Sequence, residues 1–117
     1  MMTVSIYHNP RCSKSRETLA LLTERGINPT IIKYLDTPLT VVQLQQLYRQ
    51  LGYNTVREMM RTKEQQYQEL QLSDPSLTDL ALFEAMVSHP KLLERPIVVN
   101  NDKAAMGRPP EHVLDIL

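Results

Sequence analysis

The sequence predicts an α/β protein: a small mixed sheet assembled as βαβ, then a helical insertion, then ββα. Three observations carry that expectation. Residues 3–7 alternate polar and apolar side chains, the apolar spacing then becomes helical, and a β-branched run follows at 30–34. From Tyr34 to Arg95 the chain shows helical periodicity and no convincing strand. Residues 96–99 and Lys103–Met106 then read as a hairpin across the turn Asn100-Asn101-Asp102, with a helix after it.

Taken in order, Val4 and Ile6 mark the first strand and 8–11 the loop after it. From Ser13 the helical spacing of Leu19 and Leu22 defines a helix, widened by Ala20 and Leu21 and ended by Gly26. Pro29 introduces the second strand, 30–34. Strand, helix and strand over so short a span make a βαβ unit, so the two strands are expected to be parallel, with a right-handed crossover. Asp36-Thr37-Pro38 turns the chain. Thr40 and Gln43 form a capping box for a helix that lines up Leu44, Leu47, Tyr48 and Leu51, and Gly52 closes it. Asn54 or Thr55 caps a short helix through Met60, 64–70 is a further helix, and Thr78 caps one carrying Phe83, Met86 and Val87. The final helix, 111–117, follows Arg108-Pro109-Pro110.

At 117 residues the chain is expected to be one domain, 1–117, with the helical insertion at about 38–92. Thirteen basic and thirteen acidic side chains cancel, so no basic face is implied, and neither nucleic acid nor a membrane is an expected partner. The one cysteine excludes an internal disulfide and a Cys-rich zinc site, and it points to a reducing compartment. The start, Met1-Met2-Thr3-Val4-Ser5, is too short and polar for a signal peptide, and no apolar run approaches the ~20 residues needed to span a bilayer. A soluble cytoplasmic protein is expected.

Cys12 falls where the loop meets the helix, so unpaired N–H groups and the helix dipole favour its thiolate. Arg11, Lys14 and Arg16 lie close in sequence, and His8 precedes it by four residues. A lone cysteine is by default a small buried hydrophobe, but polar, cationic, turn-forming neighbours do not suit that role. Cys12 is therefore the candidate nucleophile. The position that holds a second cysteine in Cys-x-x-Cys proteins is Ser15, so the resolving thiol must come from outside, from glutathione or a small thiol protein such as glutaredoxin. Ser13 and Ser15 are candidates to donate hydrogen bonds to the sulfur. Arg95 before Pro96 and Arg108 before Pro109 are expected at the rim of the sheet, where planar guanidinium forks suit an oxyanion. His89 and His112 have no partners at ligand spacing, and no metal is expected.

The pattern His8-Asn9-Pro10-x-Cys12-x-x-Ser15, followed by Arg95-Pro96-Ile97-Val98 and by Arg108-Pro109, resembles the glutaredoxin-linked arsenate reductase family across essentially the whole chain. The resemblance implies a thioredoxin-like fold and attack of the Cys12 thiolate on arsenate. It also implies Arg61, Arg95 and Arg108 as holders of the arsenic oxyanion, and His8 as the residue that keeps the cysteine ionised. Reduction to arsenite then uses glutathione as co-substrate and glutaredoxin as partner, with no bound cofactor. Pro96 resembles the proline that has a cis peptide bond in such folds. The loop departs from better-known arsenate reductases in carrying Ser13-Lys14 where they have Gly-Thr. Two other readings compete: a glutathione-dependent thiol-disulfide reductase without an oxyanion substrate, and a redox-responsive regulator docking on transcription machinery. Ser15 argues against sensing through an internal disulfide, and the three arginines argue against a plain disulfide substrate.

Overall fold

The first strand, β1 (Val4–Tyr7), buries Val4 and Ile6 and leaves Ser5 and Tyr7 half-buried, the outcome its alternation predicts. The computed structural model describes residues 3–117; Met1 and Met2, at the start read as too short for a signal peptide, lie outside the described residues. The described residues divide into two compact units, one made of residues 3–37 and 95–117 and the other of residues 38–94.

The first unit holds a four-stranded sheet in the order β2-β1-β3-β4, with β2 at Thr30–Ile32, β3 at Ile97–Asn100 and β4 at Lys103–Met106. β1 runs parallel to β2 and antiparallel to β3, and β3 and β4 form the expected hairpin. Asn101 takes the left-handed conformation in the hairpin turn, with φ of 57°, which asparagine tolerates better than most residues. Ile6 pairs with Val98, and Val98 with Ala105, so these three share one face. Onto that face pack Leu22 of α1 (Ser13–Glu24) and Val113 of the closing helix, and the core of this unit forms there.

In this unit two elements differ from expectation. The second strand stops at Ile32 because the chain turns at Lys33, whose carbonyl accepts from Asp36 and Thr37. The closing segment Pro110–Ile116 is a 3-10 helix instead of an α-helix. A segment this short gains little from α-helical cooperativity. Its tight turns still bury Val113 completely, and Asn100 Nδ2 donates to the Ile116 carbonyl at 2.6 Å.

The second unit is helical: α2 (Val41–Leu51), α3 (Gln65–Glu69) and α4 (Asp79–Ser88), with 3-10 turns at Val56–Met59 and Pro90–Leu92. The capping box is present, with Gln43 N–H donating to Thr40 Oγ1 and Thr40 N–H to Gln43 Oε1. Gly52 closes α2 with φ of 70°, a conformation that favours glycine. Leu44 and Leu47 are buried, and Tyr48 meets Phe83 edge to face at 5.9 Å. This stretch also contains a single antiparallel bridge, Met60 with Leu93, too short to read as a strand in sequence. No helix among the described residues is long and apolar enough to cross a membrane.

Candidate active site

The loop between β1 and α1 is built by its own polar groups. β1 hands over to the loop through His8 N–H, which donates to the Ile32 carbonyl of β2. Asn9 then sets the turn: its side-chain Oδ1 accepts from Arg11 N–H and its carbonyl accepts from Cys12 N–H, both at 3.0 Å. Cys12 is the N-cap residue of α1, extended in backbone, and its carbonyl accepts the Arg16 N–H. The thiol thus stands at the helix tip, as its position in the sequence predicts.

Cys12 is only 8% exposed, yet the neighbours of its sulfur are polar and cationic. Arg108 Nη2 donates to Cys12 Sγ at 3.4 Å, and Arg108 Nε donates to the Arg95 carbonyl at 2.8 Å. Burial is the largest single influence on the thiol and pushes its pKa up. Against it act the Ser15 backbone N–H, a hydrogen bond and the charge from Arg95, and the charge of Arg108, and together they hold the pKa below the ordinary thiol value. Both arginines precede cis proline bonds, Arg95-Pro96 and Arg108-Pro109; the sequence points to the first of these alone.

His8 and Ser15 take places other than those the sequence leads one to expect. Ser15, fully buried, uses its hydroxyl within the loop: Oγ accepts from Asn9 N–H at 3.0 Å and pairs with His8 Nδ1 at 2.6 Å. Its backbone N–H, not its hydroxyl, is the group that stabilises the sulfur anion. Burial first, then Lys33 and Arg16, lower the pKa of His8. The His8 ring and the Ser15 hydroxyl thus hold each other inside the loop. Ser13 is exposed.

Arg61 lies in the helical unit. Its Nη1 donates to Glu94 Oε1 at 3.0 Å and its Nε to Glu64 Oε2 at 3.4 Å, while its backbone N–H donates to the Leu92 carbonyl. Its charge is therefore already answered by two carboxylates of its own unit. Asn9 organises the loop without standing out in the sequence, although an asparagine just before proline is a turn signal. Nor does the sequence point to the two carboxylates on Arg61, Glu94 being 33 residues away along the chain. Among the described residues no three His, Cys, Asp or Glu side chains gather as metal ligands.

Fold and site together define a protein of thioredoxin-like fold with one arginine-flanked thiol at the tip of its first helix. Residues 7–116 match the ArsC family, and the chain belongs to that family. It is 59% identical over 114 residues to the uncharacterized protein YfgD of Escherichia coli, covering 97% of this chain and 96% of that one. It is 54% identical over 116 residues to the arsenate reductase of Haemophilus influenzae, covering 99% of this chain and all of its relative (100%). Among solved structures, the arsenate reductase from Vibrio cholerae superposes with a TM-score of 0.98 at 64% identity, covering 99% of this chain and 98% of that one.

Proposed function

We propose that this protein reduces arsenate to arsenite, with Cys12 as nucleophile and glutathione and glutaredoxin as the external reductant. The observation that carries the reading is the Arg108 guanidinium on the Cys12 sulfur in a chain with no second cysteine. The names of the Haemophilus influenzae and Vibrio cholerae relatives point to the same substrate.

In the first step the Cys12 thiolate displaces one hydroxyl of arsenate, which leaves as water after taking a proton, and arsenic stays pentavalent. An anion approaches an anion, so Arg95 and Arg108 must offset the repulsion as well as bind. Arg61, which the family resemblance implies as a third oxyanion ligand, is engaged by Glu64 and Glu94 of its own unit. Next, a glutathione thiolate attacks the Cys12 sulfur. The two electrons of the sulfur–arsenic bond pass to arsenic, and trivalent arsenite leaves. The product on the protein is a Cys12–glutathione mixed disulfide. A glutaredoxin thiolate then attacks the glutathione sulfur and frees Cys12. His8 and Ser15 keep the loop in shape for this cycle. A reducing, cytoplasmic setting suits it, and no bound cofactor is needed.

The test is arsenate reduction by purified protein with glutathione and glutaredoxin. Cys12→Ser is expected to abolish turnover and Arg95→Ala to lower it by about 100-fold, the scale of losing one charge-stabilising group. Thiol-disulfide exchange without arsenate turnover in the wild-type protein would contradict the assignment.

A further inference from the structure

Gly107 sits between the end of β4 and Arg108, against Thr18 of α1 and Pro96. Its backbone does not explain the glycine: unlike Gly26 and Gly52, it has no positive φ. Space does. A Cβ at this position falls 2.5 Å from Thr18 Oγ1, 3.2 Å from Thr18 Cγ2 and 2.7 Å from Pro96 Cγ. Neither wall gives way easily. Thr18 is completely buried, and its hydroxyl donates to the Lys14 carbonyl in the first turn of α1 at 2.8 Å. On the other side, Gly107 N–H donates to the Pro96 carbonyl at 2.9 Å.

We propose that Gly107 is a positioning residue: its missing side chain lets the end of β4 close against Thr18 and Pro96, which brings the Arg108 guanidinium onto the Cys12 sulfur. The geometry leaves an added methyl two ways out. If α1 retreats, it carries the Cys12 turn with it, because Thr18 is bonded to the first turn of the helix that Cys12 caps. If β4 retreats, it carries Arg108, the next residue in the chain. Either motion lengthens the 3.4 Å contact from Nη2 to Sγ. Gly107 does not itself act on the sulfur; it acts through the contact between Arg108 and Cys12.

The inference rests on Cys12 being the working nucleophile. Its test reads the ionisation of the thiol and not arsenate, so it can fail without the substrate assignment failing, and the reverse. The measurement is the pH profile of iodoacetamide alkylation of the intact chain, with circular dichroism to establish folding. Gly107→Ala is expected to move the midpoint of the profile upward by about one pH unit, a shift typical of losing a neighbouring charge. Thr18→Ala alone is expected to keep the wild-type midpoint, and the double variant to recover at least half of the shift. A folded Gly107→Ala with the wild-type midpoint overturns the proposal, because a purely structural role would leave the profile in place. If Gly107→Ala does not fold, the double variant decides. Folding with the midpoint of Thr18→Ala supports the proposal, whereas failure to fold, or a midpoint unrelated to that of Thr18→Ala, overturns it.

Discussion

At the scale of single residues, Cys12 is held between opposing influences. Burial disfavours its charge, while an amide and two guanidinium groups favour it, and the second set prevails. The cations that do this are not those the local sequence offers. Arg11 is exposed, Lys14 pairs with Glu17 at 3.4 Å, and Arg16 donates to the Pro10 carbonyl. Arg95 and Arg108 arrive from the far end of the chain, where their places before Pro96 and Pro109, together with the family pattern, point to them. His8 has a testable consequence of its own. Its folded pKa lies below 6.5, so as pH drops the unfolded chain takes up that proton first. Stability is therefore full above pH 6.5 and declines as pH falls below it. Urea denaturation over a pH series is expected to show this decline in the wild-type protein and a shallower one in His8→Gln. Equal slopes in the two proteins would contradict the lowered pKa.

At the scale of elements, the regular pieces were legible because their signals are local. The alternation of β1, the helical spacing of α1 and the capping box of α2 each lie within one stretch of sequence, and each forms as read. Features set by distant partners were not legible. The Met60–Leu93 bridge depends on what the chain meets after it folds, whereas the early end of β2 comes from the local turn at Lys33 and the 3-10 form of Pro110–Ile116 goes with the shortness of that segment. The same division holds in the site. The position of Cys12 at the helix tip is local, whereas the pairing of Arg61 with Glu94 is not. The cap of α2 gives a direct energetic check. Thr40→Ala removes the acceptor for Gln43 N–H and is expected to cost about 1 kcal/mol in chemical denaturation. It is expected to leave Cys12 ionisation unchanged, because the groups that shift the thiol are Ser15, Arg95 and Arg108. A cost near zero would show that the cap contributes nothing to stability.

At the scale of the molecule, zero net charge and one cysteine together shape the chemistry. Overall neutrality supplies no long-range field for anions, so attraction for an oxyanion must come from arginines placed close to the sulfur. A single thiol cannot reset itself by forming an internal disulfide. It also makes Cys12 the only source of thiolate signal in this chain. The most direct test is therefore a pH titration of thiolate ultraviolet absorbance in the wild-type protein and in Arg108→Ala, each with its Cys12→Ser counterpart subtracted. The midpoint is expected below the ordinary thiol value of 9.0 in the wild-type protein, and higher once the arginine is removed. A wild-type midpoint at or above 9.0, or one that Arg108→Ala leaves in place, would contradict an arginine-held thiolate as the centre of this protein's chemistry.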